Sequence, residues 1–366
     1  MDITIGFIGF GLIGGSIAKG IKRAYPNYKI MAYSRTKSSL EQAYNDGIIN
    51  TILDAIDNRL SICDFIFLCT PVSFNASYLS AISPFIKPTC IVTDVGSTKT
   101  GIHEQVIRLG LESSFIGGHP MAGSERTGYE NSTDHLLENA YYVITPTNKT
   151  TKAQLERYIS LVKNLGALPL VLDYKEHDYV VATISHLPHI IAAELVNLVK
   201  ASDNKNQTMK MVAAGGFKDI TRIASCSPIM WEQICMDNHL NIESILQQYI
   251  ERLQLTLSHL KKKQSNKIFQ LFESSGEYRN SITDSFSGPI TPEYCIYCDI
   301  VDEAGAIATI ATTLSIHQIS IKNIGIIHNR EFEEGVLKIE FYNEVACKKA
   351  TEVLEFCHYT VFQKNR

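Results

Sequence analysis

The sequence predicts an α/β protein in three parts: a parallel sheet with covering helices, an all-helical segment, and a small C-terminal α+β unit. Three observations carry this. Short apolar runs alternate with helical stretches over residues 1–174, which implies parallel strands joined by right-handed crossovers. Strand signals stop near Glu176, and apolar-periodic segments replace them as far as 273. From 293 the chain restarts as strand, helix, strand, strand, helix, strand. A length of 366 residues leads one to expect two or three domains, here 1–174, 175–273 and 293–366. The stretch 274–292, rich in Ser, Gly and Pro, reads as a linker.

Taken in order, residues 3–9 form a buried strand and Gly14–Ala24 a helix, followed by a strand at Lys29–Tyr33. A helix over Ser38–Asn45 takes Ser38 as its cap. Phe65–Cys69 and Cys90–Thr93 are further strands, and Phe115-Ile116 closes another before a loop. Tyr141–Ile144 and Leu168–Leu172 extend the same sheet, joined by a helix at Lys152–Asn164. The helical part is read from His186–Lys200, Gln207–Ala214, Ile229–Asp237 and Ile242–Lys261. The last unit has strands at 293–301, 319–328, 334–342 and 358–363 and helices at 305–316 and 344–356. It carries no acid–base cluster, which points to binding or regulation.

Hydrophobic residues make up 45% and charged residues 20%, the balance of a soluble globular protein. A net charge of −4 argues against nucleic acid as a partner. Lys261-Lys262-Lys263 reads as the solvated end of a helix, where cations suit the dipole. The nine cysteines are scattered and odd in number, as expected of buried thiols in a reducing compartment. Cys295-Ile296-Tyr297-Cys298 has a metal-like spacing but lies in one alternating strand with no second pair, so no metal is expected. No stretch reads as the ~18 apolar residues a membrane span needs, and Met1 leads directly into a strand, so a cytoplasmic protein is expected.

Gly9-Phe10-Gly11-Leu12-Ile13-Gly14 follows a strand and opens a helix. This G-x-G-x-x-G permits a tight turn, close approach to a pyrophosphate and close helix–strand packing, which marks a Rossmann-type dinucleotide site. About twenty residues on, an NAD site usually carries an acid. Here Tyr33-Ser34-Arg35-Thr36-Lys37 supplies none. Ser34 and Arg35 suit a 2′-phosphate, which favours NADP+ without excluding NAD+; the alternative is that Arg35 stacks on adenine or faces solvent. Thr70-Pro71 and Asp94-Val95-Gly96-Ser97-Thr98-Lys99 follow strands at the ligand edge of the sheet. Ser97 suits either a helix N-cap or a site hydroxyl, and the two roles are compatible.

Gly117-Gly118-His119-Pro120-Met121-Ala122-Gly123-Ser124-Glu125 carries the candidate base. An imidazole changes charge near neutral pH, and beside a nicotinamide it can remove a hydroxyl proton as hydride leaves. Ser185-His186-Leu187-Pro188-His189 reads as the start of a helix, with Pro188 in its first turn. In Gly215-Gly216-Phe217-Lys218-Asp219-Ile220-Thr221-Arg222, Gly215 would bring backbone near a ligand and Arg222 would pair with a carboxylate. Asp219 either braces Arg222 on one helical face or makes only a surface pair with it.

Together with Met230-Trp231, these segments closely resemble the prephenate and arogenate dehydrogenase family from residue 3 to about 270. The tail, with Asp302-Glu303-Ala304-Gly305-Ala306 at its first strand-to-helix turn, resembles an ACT domain. The resemblance implies oxidative decarboxylation of prephenate to 4-hydroxyphenylpyruvate and CO2, with hydride passing to NAD(P)+. It makes His119 the base and Ser97 the residue that orients the hydroxyl. Arg222 would bind a carboxylate with Asp219 fixing its fork, His189 and Ser185 would surround the pyruvyl chain, and Glu125 would lie near the cleft mouth. His189 favours prephenate over arogenate. A homodimer and tyrosine as effector of the ACT-like unit are also implied. A β-hydroxyacid dehydrogenase and a catalytically silent amino-acid sensor are the competing readings; the first lacks its catalytic-lysine motif here, and intact Ser97, His119, His189 and Arg222 oppose the second.

Overall fold

Five parallel strands build the first sheet: β1 (Thr4–Ile8), β2 (Lys29–Tyr33), β3 (Thr51–Leu53), β4 (Phe65–Leu68) and β5 (Ile91–Asp94), in the order β3-β2-β1-β4-β5. The computed structural model describes residues 3–123, 126–285, 294–300, 305–327 and 335–362. Every residue of β1 and β4 is buried, as a parallel sheet covered on both faces requires. Helices α1 (Leu12–Ala24), α2 (Lys37–Asn45), α3 (Val72–Ile82) and α4 (Thr100–Arg108) supply the crossovers. α1 lays Ser16, Ile17, Ala18 and Ile21 on a core in which Phe7 and Phe67 stack at 5.2 Å. α2 starts one residue before the expected Ser38, with Thr36 in the capping position.

A second sheet continues beside β5 through a single bridge between Val92 and Phe115. It contains β6 (Ile116–Pro120), β7 (Tyr141–Pro146) and β8 (Leu168–Val171), with α5 (Lys152–Asn164) between the last two. The β6–β7 pair is antiparallel, so Tyr141–Ile144 and Leu168–Leu172 belong to a separate small sheet and do not extend the first. His119 lies on β6 opposite Val143, not in a loop after the strand. The paired glycines before it explain why: a Cβ at Gly118 would meet Tyr158 Oη at 2.7 Å and the Asp94 carbonyl at 2.8 Å. Small residues here let β6 pack closely against Tyr158 and the end of β5.

α6 (Tyr174–Val181), a π-helical turn at Ala182–His186 and α7 (Leu187–Ser202) run on as one helical rod. The helix therefore begins well before Ser185, and Pro188 sits inside it. Proline lacks the N–H an α-helix needs, and the preceding π-turn is where the hydrogen-bond ladder adjusts. By length and composition Tyr174–Ser202 is apolar enough to cross a membrane, which the sequence reading missed. Its first half nonetheless buries His177, Asp178 and His186 within the protein. α8 (Thr208–Val212), α9 (Gly215–Thr221), α10 (Pro228–Asp237) and α11 (His239–Lys261) follow, and α9 packs on α7.

α12 (Ser265–Ser285) runs through much of the stretch read as a linker. One glycine in a helix costs only ~1 kcal/mol against alanine, so Gly276 does not break it. The chain divides into two compact units, Met1–Ile268 and Phe269–Arg366. The second contains β9 (Tyr294–Ile300), α13 (Ala306–Ile316), β10 (Ile321–Ile327), β11 (Gly335–Phe341), α14 (Glu344–Phe356) and β12 (Val361–Phe362). Its antiparallel sheet, ordered β10-β11-β9-β12, buries Ile296, Cys298, Leu337 and Ile339 with Ile310 of α13 and Leu354 of α14. Cys295 and Cys298 are three apart on β9 and face opposite sides of the sheet, so they cannot converge on one ion. Asp302, Glu303 and Ala304 lie outside the described residues. All nine cysteines are free.

The packing of β6 gives a direct test. Gly118→Ala forces overpacking against Tyr158 and Asp94 and is expected to lower stability by about 1–3 kcal/mol, read as a fall in Tm. An unchanged Tm would mean that β6 is not held tightly there.

Candidate active site

The dinucleotide crevice opens between the ends of β1 and β4, where the strand order reverses. Gly9 has φ +88°, and a Cβ there would meet the Cys69 carbonyl oxygen at 2.7 Å. Gly14 approaches Gly9 and Cys69 closely in the same way. Gly11 caps α1 with no side chain, which leaves the first N–H groups of the helix, those of Leu12 and Ile13 included, open toward an anion. A cavity of about 200 Å³ is lined by Gly9, Gly11, Ser34, Arg35, Thr70 and Pro71 among others. Its lining contains no acid among the described residues. The glycine-lined approach and open helix end fit a pyrophosphate. Arg35 is exposed, with its guanidinium 4.7 Å over the Phe74 ring, and Thr70 Oγ1 donates to Asn75 Oδ1 at 2.7 Å.

At the end of β5 the carboxylate of Asp94 is wholly buried. It accepts the N–H groups of Gly96 at 2.9 Å and Gly118 at 3.2 Å and pairs with the equally buried Lys99 ammonium. These bonds tie the turn bearing Ser97 to the strand bearing His119. Ser97 and His119 are both half-buried. His119 Nδ1 lies 2.8 Å from His177 Nε2, and His177 Nδ1 lies 2.8 Å from Asp178 Oδ1. Asp178 also accepts the N–H groups of Lys99 at 2.8 Å and Thr100 at 2.7 Å.

Burial holds His119 well below the ordinary histidine range, and the nearby His177, Lys99 and His186 push the same way. His177 is lowered by burial against the pull of its bond to Asp178. Burial alone would raise Asp178, but bonds from His177 and Thr100 outweigh it and keep the carboxyl low. His186 is buried and lowered to about 4, and Asn238 Nδ2 donates to its Nδ1 at 3.2 Å.

On the helical side, His189 Nδ1 donates to the Ser185 carbonyl at 2.8 Å, and its ring stacks on Trp231 at 3.8 Å. Both His189 and Ser185 are half-buried. Arg222, exposed just beyond α9, is near enough to His189 to add to the lowering of its pKa, after burial. Gly215 opens α9, and Asp219 is exposed along it. Ser124 and Glu125 lie outside the described residues. Sequence reasoning missed His177, Asp178 and the bracing role of Asp94. The one available signal was a His-Asp pair entering an apolar helical run.

The profile of the prephenate dehydrogenase nucleotide-binding domain matches residues 17–170, and that of the prephenate dehydrogenase dimerization domain matches 173–274. A prephenate dehydrogenase of Bacillus subtilis is 35% identical over 97% of this chain and 96% of its own. The Aquifex aeolicus prephenate dehydrogenase, solved with hydroxyphenyl propionate and NAD+, superposes with a TM-score of 0.72 at 29% identity, covering 77% of this chain and 99% of that one. The Synechocystis arogenate dehydrogenase gives 0.69 at 31% identity, covering 76% of this chain and 100% of that one.

The buried histidines set a pH dependence of stability. His103 and His186 titrate near 4 in the folded chain against 6.5 ordinarily. Between those values the unfolded chain binds more protons, so stability is full above about 6.5 and is lost as pH falls toward 4, by up to ~3 kcal/mol for each group. A Tm that declines over that interval is expected; a Tm flat across it would contradict the burial of these rings.

Proposed function

The chain belongs to the prephenate dehydrogenase family, and from that premise we propose how its residues carry out the oxidative decarboxylation of prephenate to 4-hydroxyphenylpyruvate and CO2. The observation that carries the assignment is His119, fixed on β6 with its base form favoured by burial. NAD(P)+ serves as the hydride acceptor. Gly9, Gly11, Leu12, Ile13 and Gly14 would hold its pyrophosphate, and Thr70 and Pro71 would border it. His119 takes the proton of the C4 hydroxyl while hydride leaves C4 and the ring carboxylate departs as CO2, Ser97 orients that hydroxyl, and the proton then returns to the phenolate oxygen to give the phenol. The product ring is aromatic, so the chemistry has its own driving force. The protein's tasks are alignment and the removal of one proton.

Prephenate is a dianion and needs a cation. Arg222, with Asp219 as its brace, binds a carboxylate, while His189, Ser185 and the backbone at Gly215 surround the pyruvyl chain and Glu125 borders the cleft mouth. His189 favours a keto acid, whereas an amino-acid side chain would call for an acid. The Synechocystis neighbour is the reason to keep arogenate as the second reading. The absence of an acid in the crevice lining and the presence of Ser34 and Arg35 favour NADP+ without excluding NAD+.

Large apolar side chains such as Ile184, Met211, Val212, Ile229 and Leu240 stand more than 60% exposed in the helical part, and a homodimer would cover them. The βαββαβ unit is proposed as an ACT-like sensor of tyrosine.

His119→Asn is expected to lower kcat by about 10²–10⁴-fold with cofactor binding intact, since a positioned base is worth that much. Arg222→Ala should raise the prephenate KM at least tenfold, for a charge-assisted contact of roughly 1.5–3 kcal/mol. An active His119→Asn enzyme would reject the base, and an unchanged KM would move the anion site elsewhere. Enzyme lacking residues 290–366 should lose tyrosine inhibition yet still sediment as a dimer. Retained inhibition would reject the sensor, and a monomer would reject the helical interface.

A further inference from the structure

Behind His119 lies a chain of groups that the reaction does not itself require. Asp178 accepts the Lys99 N–H at 2.8 Å, the Thr100 N–H at 2.7 Å and His177 Nδ1–H at 2.8 Å, and the Thr100 side chain adds a further bond. A buried carboxylate that accepts two backbone N–H groups stays ionised and acts only as an acceptor. The proton between Asp178 and His177 therefore sits on His177 Nδ1. That leaves His177 Nε2 with a lone pair, and it faces His119 Nδ1 at 2.8 Å. His119 Nδ1 must then carry a proton, and the lone pair of His119 is at Nε2. The reverse arrangement would require Asp178 to be protonated against backbone donors.

We infer that His177 and Asp178 are positioning residues that lock His119 in the tautomer able to accept a substrate proton, and that share its charge once the proton arrives. When Nε2 of His119 is protonated, the Nδ1 proton can shift along the existing 2.8 Å hydrogen bond to His177 Nε2. No atom is gained or lost in that shift. The positive charge then lies beside the Asp178 carboxylate and farther from the reacting ring. The other charged or titratable groups acting on this pair are Lys99 from the β5–α4 turn, Asp94 from β5 and His186 from the π-turn. Lys99 is already paired with Asp94, so Asp178 is the anion left to receive the charge. The inference rests on His119 being the base, as proposed above.

The test compares His177→Leu and His177→Gln in the full-length enzyme across pH. Leucine removes both the acceptor for Nδ1–H and the path for charge. It should lower kcat by roughly 10²-fold, leave the prephenate KM and cofactor affinity within about threefold, and move the acid limb of kcat/KM to lower pH. Glutamine can accept the Nδ1–H but cannot take a proton. It should recover about tenfold of the lost kcat while its acid limb stays displaced. A leucine variant with wild-type kcat and acid limb would overturn the inference. So would a glutamine variant no better than leucine, or losses in which KM rises and cofactor affinity falls together with kcat. If the leucine protein does not fold, an undisplaced acid limb in His177→Gln overturns the charge sharing by itself. Turnover by His119→Asn would instead remove the base and leave the His177 comparison without an object, which separates the two failures.

Discussion

The turn from Asp94 to Thr100 is clamped between two buried carboxylates, and the arrangement of the site follows from that clamp. Lys99 joins the two: its ammonium pairs with Asp94 and its backbone N–H bonds to Asp178. Both acids are fully buried. Ions removed from water cost several kcal/mol each unless good partners compensate them. Here Asp94 collects donors from Gly96, Gly118 and Lys99, and Asp178 from Lys99, Thr100 and His177. Releasing any of the three segments would strand a charge. The β5 turn, the strand carrying His119 and the helix carrying His177 are thereby fixed against one another.

This clamp suits a reaction in which little beyond geometry is asked of the protein. Aromatisation drives the loss of CO2, so the demand is that C4, its hydroxyl and the proton acceptor hold their places together. Imidazoles kept neutral by burial can accept protons at ordinary pH, and four of them, His119, His177, His186 and His189, have their pKa lowered here. Arg222, the cation proposed for the anionic substrate, lies on a different element, just beyond α9. Proton removal and anion binding are thus proposed for separate parts of the chain, and the α7 helix, which continues directly from the π-turn, lies against α9.

Local signals made the first sheet and the cofactor loop legible. Gly9 and Gly14 sit where the tight turn and helix packing need them, and parallel pairing follows from alternating strands and helices, though the short β3 was not read from the sequence. Where the sequence misled, tertiary packing had overruled local propensity. Gly117 and Gly118 look like loop residues, yet they let β6 approach Tyr158 and Asp94. Pro188 looks like a helix start, yet a π-turn lets the helix run through it. Ser274 to Gly276 look like a linker, yet they lie in α12. The bond between His119 and His177 spans 58 residues and has no motif, because only the folded chain brings its two ends together.

Everything in the site is read as serving the oxidation of prephenate with loss of CO2. The most direct measurement follows reduced nicotinamide by its absorbance, and CO2 release in parallel, with prephenate or arogenate and with NAD+ or NADP+. One CO2 for each reduced nicotinamide, prephenate consumed faster than arogenate, and 4-hydroxyphenylpyruvate as product are expected. No reduction with either compound, reduction without CO2, or a clear preference for arogenate would contradict that reading.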